Sequence, residues 1–291
     1  MFKSIFVPTT GFSNDPAALE TALGVARAFG GHLDCVHVRP DPSQIAMQAA
    51  GYDVGMGMAF ATGNIVEILQ EEDRKQTARA KKIYDAFRQR EKLDEVNAPP
   101  CALSPSSSWA ELMGREKDIL LTQARVHDLT VIGHPAHWGV LTRETVGDML
   151  VGGGRPLLLA TEKAPGHFGE TVAVAWKDTP EAARAVTAAM PFLTRARQIV
   201  LINIAEHENV TIEPVDALAK TLRWHNLSAE VRYLAHPCGS MHDTILTLAK
   251  QAGADLLVMG GYSHTRLSER LFGGFTRHVL AGANLPVLMA H

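Results

Sequence analysis

The sequence is short of the residues that most directly announce a chemistry. It has only three cysteines, Cys35, Cys101 and Cys238, with no paired spacing. That excludes a disulfide framework and a four-cysteine zinc site, and it leads us to expect a reducing compartment, the cytoplasm. Charge of one sign is missing too: 28 Lys and Arg stand against 31 Asp and Glu, a net charge of −3. The basic footprint of a general nucleic-acid binder is therefore absent, and no nucleic-acid partner is expected. No apolar run approaches the ~20 residues needed to cross a bilayer, and Met1 to Thr10 has no apolar stretch behind a basic one, so no membrane partner is expected either. Walker loops, Gly-x-Ser-x-Gly elbows and evident paired carboxylates are lacking. His134 and His137 form too short a pair to fix a metal, and the loose cluster of His236, Cys238 and His242 lacks a partner group for catalysis. No metal is expected.

What is present is a repeated plan. A chain of 291 residues suits two domains of roughly 145 residues each. Lys3 to Pro8 reads as a buried strand, with Asp15 as N-cap and Pro16 at the first position of a helix that runs from Ala17 to Phe29 and stops at Gly30 and Gly31. Leu33 to Val38 reads as the next strand, and strand, helix, strand at this spacing is a parallel unit. From Pro40 to Gly63 the chain is rich in Gly, Ala and Met without a clean period, so an extended loop is expected, a candidate cover over a site. There follow a long amphipathic helix from Ile65 to Leu93, a short strand from Cys101 to Leu103 and a helix from Trp109 to Ala124. A strand from Leu129 to Ile132, a helix and a last strand from Leu157 to Ala160 complete the half.

The second half reads in the same order. Strands are expected over Thr171 to Trp176, Ile199 to Ile204, Val231 to Leu234, Leu256 to Met259 and Val287 to Ala290. Helices are expected after Thr179 and Pro180, over Val215 to Asn226 and over Met241 to Ala252. Asp15-Pro16-Ala17-Ala18 sits opposite Thr179-Pro180-Glu181-Ala182, and Leu129 to Gly133 matches Leu256 to Gly260. Arg155-Pro156-Leu157-Leu158 matches Leu285-Pro286-Val287-Leu288. We expect domains over residues 1–162 and 170–291, joined where Thr161 to Glu170 breaks the pattern.

The stretch from Asp255 to Leu288 carries the functional signal. An apolar run ends in Gly260 and Gly261, a polar loop leads to Gly273 and Gly274, and Phe275, Val279 and Leu280 recur at helical spacing before Gly-Ala-Asn-Leu-Pro stops the helix. Between Gly260 and Leu280 the charged residues are Arg266, Arg270 and Arg277 against Glu269, with His264 and His278 nearby. Glycines, net positive charge and a helix N-terminus together favour an anionic group such as a phosphate.

The spacing Gly260-x2-Ser263-x9-Gly273-Gly274 resembles the ATP-binding loop of the universal stress proteins, Gly-x2-Gly-x9-Gly followed by Ser or Thr. Ser263 stands where that family has its second glycine and Gly274 where it has the hydroxyl residue, with Thr276 close by. The resemblance covers nearly the whole chain as a tandem of two members. It implies an α/β fold in which each half is a five-stranded parallel sheet of order 3-2-1-4-5 with helices on both faces. In family dimers the fifth strands pair, so Leu157 to Ala160 and Val287 to Ala290 are expected to pair within this chain as an intrachain pseudo-dimer, with further dimerisation left open. Edges are then covered.

The resemblance also implies a ligand, ATP or another adenine nucleotide, at the switch point of strand order. The residues assigned to this site are Ala175, Trp176, Lys177 and Asp178 after the first strand of the second half, then Gly260, Ser263, Gly273, Gly274, Phe275 and Thr276, and, from their place in the loop, His264 and Arg266 for the phosphates and Tyr262 for the ribose or base. Lys177 occupies the position where ATP-binding members carry an acidic residue. In the first half, Arg143 and Glu144 fall where Gly273 and Gly274 stand, and Arg143, Glu144 and Asp148 leave Gly133 to Leu150 net negative, so that half is expected to have lost the site. The leading expectation is a non-enzymatic nucleotide sensor of the stress response. The rivals are a tandem scaffold whose Pro40 to Gly63 loop meets a partner protein or an apolar ligand, and an enzyme that cleaves ATP at its α-phosphate.

Overall fold

The structure is a computed structural model, and it describes residues 1–43, 62–98, 104–134, 143–163, 168–204, 213–234, 240–261 and 283–291. The first half runs β1 (Ser4–Pro8), α1 (Asp15–Phe29), β2 (His32–Arg39), α2 (Thr62–Glu91), β3 (Asp94–Glu95), β4 (Ser106–Met113), α3 (Glu116–Val126), β5 (Leu129–Ile132), α4 (Arg143–Gly152) and β6 (Leu157–Leu159). The second runs β7 (Thr171–Ala175), α5 (Pro180–Leu193), β8 (Gln198–Ile204), α6 (Glu213–Arg223), β9 (Ala229–Leu234), α7 (Met241–Gln251), β10 (Leu256–Gly260) and β11 (Val287–Ala290).

All eleven strands join one sheet of order β3-β4-β2-β1-β5-β6-β11-β10-β7-β8-β9. The second half contributes five strands in the order 3-2-1-4-5, and the first has the same order in β4, β2, β1, β5 and β6 with the two-residue β3 added outside β4; every pairing is parallel except the junction, where β6 meets β11 antiparallel with Leu158 opposite Leu288. That is the expected pairing of fifth strands. Strands buried on both faces need unbroken apolar runs rather than alternation, and Leu129–Ile132, Leu157–Leu159 and Val287–Ala290 are buried at every position.

Local chemistry sets the helix ends. α5 starts where Thr179 accepts a hydrogen bond from the Ala182 N–H at 3.3 Å, with Pro180 in the first turn. α1 stops at Gly30, whose left-handed backbone (φ 60°) lets its N–H reach Ala26 O. Its start differs from expectation. Asn14 is the N-cap residue but its side chain makes no capping bond, and Asp15 lies one position inside, its carboxylate turned back onto the preceding loop.

The third strand is a second correction. The stretch expected as a helix from Trp109 to Ala124 is instead β4 followed by α3, and β4 pairs with β2 over eight residues, His32 opposite Ser106 through Arg39 opposite Met113. Cys101 to Leu103, expected as the strand, lies outside the described residues. Trp109, Leu112 and Met113 have helical spacing, but each gains a full strand partner from β2, and that non-local pairing overrides the local pattern.

The core has two layers, and each crosses between the halves. On the face of α1 and α5, Phe2 and Phe29 of the first half meet Phe192 of the second at ring centroid separations of 5.1 and 5.2 Å. On the other face, Met149 and Leu150 join Leu257, Val287 and Met289. Among the described residues no helix is long and apolar enough to cross a membrane.

Candidate functional site

In both halves the strand order reverses beside the first strand, at β1 and β5 and again at β7 and β10, so a crevice opens at the carboxyl ends of these strands. The two crevices are built from equivalent parts. Thr9 N–H donates to Val36 O at 2.9 Å just past β1, and Trp176 N–H donates to Ile202 O at 2.8 Å just past β7. One residue further along the neighbouring strands stand His37 and Asn203. His37 Nδ1 lies 2.7 Å from Thr9 O, and Asn203 Nδ2 donates to Trp176 O at 2.9 Å.

The glycines that end the fourth strands are equivalent as well. A Cβ on Gly260 would lie 2.7 Å from Ala182 N, and one on Gly133 would lie 2.8 Å from Asn14 O. Each strand end therefore presses on the start of its half's first helix. Gly260 has a packing role that is independent of any ligand.

The first crevice is sealed from within. The Asp15 carboxylate, only 3% exposed, accepts from Thr10 N at 2.9 Å, Thr10 Oγ1 at 2.8 Å and Gly11 N at 2.7 Å. The backbone N–H groups of Thr10 and Gly11 are thereby taken. Burial is the largest influence on this carboxyl and lifts its pKa from 3.8 to about 6, against the hydrogen bonds, which act to lower it. α2 then covers the loop. Gln76 Nε2 donates to Thr10 O at 2.8 Å, Thr77 Oγ1 lies 3.2 Å from His37 Nε2, and a Cβ on Gly11 (φ 81°) would lie 2.7 Å from Gln76 O.

The second crevice has no such seal among the described residues. Its counterpart of α2 is α6, eleven residues long where α2 has thirty. No carboxylate of the described residues folds onto the loop from Trp176 to Thr179; Asp178 is exposed, and Lys177, half-buried, stands where Thr10 stands in the first half. Of the residues assigned from sequence, the structure brings Ala175, Trp176, Lys177, Asp178 and Gly260 to this edge of the sheet. Tyr262, Ser263, His264, Arg266, Gly273, Gly274, Phe275 and Thr276 lie outside the described residues, as does the Pro40 to Gly63 loop from residue 44 to residue 61. In the first half Glu144 lies in the opening turn of α4.

Sequence reasoning passed over Asp15 as a loop seal and over His37 and Asn203 altogether. The available signal for the last two was a polar residue near the end of an otherwise apolar strand in each half, Val36-His37-Val38 and Ile202-Asn203-Ile204.

Comparison with known proteins fits this geometry. The pattern of the Universal stress protein family matches residues 1–99 and 170–291. The chain belongs to the universal stress protein family. A universal stress protein from Methanocaldococcus jannaschii is 37% identical over 51 residues, which are 18% of this chain and 32% of that protein, so the chain spans about a third of the curated relative it matches. Among solved structures, a universal stress protein from Archaeoglobus fulgidus is similar with a TM-score of 0.67 at 13% identity, covering 99% of this chain and 97% of its own. A putative universal stress protein from Pseudomonas aeruginosa gives a TM-score of 0.54 at 18% identity, covering 99% and 93%. These likenesses establish the tandem universal stress protein fold.

Other polar features lie elsewhere. At the opposite ends of the strands, Asp34 on β2 is 2.8 Å from His127 Nε2 and accepts from Ser108 Oγ at 2.5 Å, and His32 Nε2 lies 3.3 Å away. Burial alone would raise the Asp34 carboxyl, but the bonds from His127, His32 and Ser108 hold it well below the ordinary range. Burial likewise opposes a charge on His127, and its bonds to Asp34 and Gln123 O outweigh that and raise its pKa. Among the described residues no group of three or more His, Cys, Asp or Glu is placed to hold a metal ion. A groove of about 850 Å³ runs along Val66 to Lys75, but among the described residues only α2 lines it, and Arg74 and Lys75 pair with Glu71 at 3.6 and 3.7 Å. Nothing converges there.

Proposed function

We propose that this tandem universal stress protein is a non-enzymatic sensor that holds one adenine nucleotide, ATP or a close relative, in its second half. The observation that carries the reading is the contrast between two equivalent crevices. In the first, the Asp15 carboxylate takes the N–H groups after β1 and α2 covers them; in the second, the described residues supply neither device. A carboxylate in the first crevice repels a phosphate at contact distance, whereas the Lys177 ammonium beside the second attracts one. The resemblance of Gly260-x2-Ser263-x9-Gly273-Gly274 to the family's ATP loop supports the same half, and we assign Arg266 and His264 to the phosphates and Tyr262 to the ribose or base from their places in the sequence. The domains proposed are residues 1–162, without a ligand, and residues 170–291, with one.

The test is the small-molecule content of the purified chain. Denaturation should release an adenine nucleotide from the wild type and none from Gly273→Glu. An empty protein that ignores millimolar ATP would refute the sensor reading and favour a ligand-free scaffold. Turnover of ATP that disappears with His264 or Arg266 would favour an enzyme.

A further inference from the structure

The equivalence of His37 and Asn203 leaves one difference unexplained by packing. In the first half both ring nitrogens of His37 are used, one by Thr9 O and the other by Thr77 of α2. In the second half the Asn203 amide is oriented by its bond to Trp176 O, so its Nδ2 faces that carbonyl and Oδ1 faces away from it. Asn203 is 6% exposed, and this oxygen is buried without a hydrogen-bond partner among the described residues. The indole Nε1 of Trp176, on the adjacent strand end, is likewise buried and unpaired. Buried donors and acceptors are nearly always satisfied, because each has given up its water. Thr9, Thr21, Thr130 and Asn14 also carry unpaired buried oxygens, but those neighbour no unpaired indole N–H on an adjacent strand.

An acceptor and a donor, fixed on neighbouring strands and stripped of water, match a ligand edge that presents a donor beside an acceptor. We propose that Asn203 Oδ1 and Trp176 Nε1 read the base of the bound nucleotide. Asn203 accepts from the exocyclic amine of a 6-amino purine, and the indole N–H donates to a ring nitrogen next to it. A 6-oxo purine sets a carbonyl oxygen against Asn203 Oδ1 and is refused. The inference rests on the reading that the second half holds a nucleotide, and it names the two side chains that make the site prefer adenine.

The test is calorimetric titration of the full chain with ATP and with ITP, which differ at the 6-position. Wild type should bind ATP about tenfold more tightly than ITP, the effect of one lost hydrogen bond with its acceptor left buried. Asn203→Leu should weaken ATP alone and bring the two ligands within about twofold of each other, whereas Trp176→Phe should weaken ATP about tenfold and leave ATP ahead of ITP, because Asn203 still faces the 6-position. Asn203→His keeps a donor for Trp176 O and an acceptor on the other ring nitrogen, as His37 does, and should retain the preference. Circular dichroism identifies any variant that fails to fold, and the Trp176→Phe arm stands even if Asn203→Leu fails. Equal affinity of wild type for ATP and ITP, or a preference that survives Asn203→Leu, would overturn base reading while leaving the nucleotide site in place. Binding of neither ligand by wild type would overturn both.

Discussion

Asp15 is the residue that most separates the first half from the second, because its carboxylate occupies the backbone N–H groups of the loop after β1 and no carboxylate of the described residues does so after β7. Its pKa is raised by burial from 3.8 to about 6. A carboxyl whose folded pKa is raised stabilises the fold fully below its unfolded pKa, and that contribution is lost as pH rises through the folded value. We expect the stability difference between wild type and Asp15→Asn to change by on the order of 2 kcal/mol between about pH 4 and pH 6, the wild type losing ground as pH rises. Denaturant unfolding over a pH series measures this, and a pH-independent difference would contradict it. Sequence alone placed Asp15 at the helix start, one position from its true place. It did not reveal the seal, because the partners of Asp15 are set by how the loop folds back and not by spacing.

At the scale of elements, the strands with unbroken apolar runs and the helices with Pro near the start and Gly at the end were legible, since their causes are local. β4 was not. Its Trp109 to Met113 read as the start of a helix, and only the register with β2 makes it a strand. The short β3 was invisible for the same reason, being two residues held by β4. The glycine at the end of β10 was legible as a glycine but for another role. Because a Cβ there would lie 2.7 Å from Ala182 N and 2.8 Å from Glu181 C, Gly260→Ala should destabilise the protein by about 1–3 kcal/mol in the absence of any nucleotide. Thermal unfolding of the ligand-free variant checks this. Unchanged stability with reduced nucleotide affinity would assign Gly260 to the ligand instead.

At the scale of the whole molecule, the two halves are one sheet and share both core layers. Phe192 is 2% exposed and touches Phe2 and Phe29 across the junction as well as Phe168 of the connecting segment. Phe192→Ala should therefore cost about 3–5 kcal/mol. Hydrogen exchange should then speed up in β1 and β7 together, and acceleration confined to β7 would indicate halves that unfold separately. The repeat itself, the strand order and the pairing of β6 with β11 were legible from the internal match and the family resemblance. The inequality of the two crevices was legible only in part. The charges at Glu144 and Lys177 pointed to it, whereas the covering by α2 and the unpaired Asn203 oxygen emerge only in three dimensions.

The asymmetry of the crevices is best tested by the stoichiometry of ATP binding to the nucleotide-stripped full chain, measured by isothermal titration calorimetry. The account predicts one site per chain, lost in Gly273→Glu and unchanged in Glu144→Gly. Two sites per chain, or a single site that survives Gly273→Glu, would contradict it.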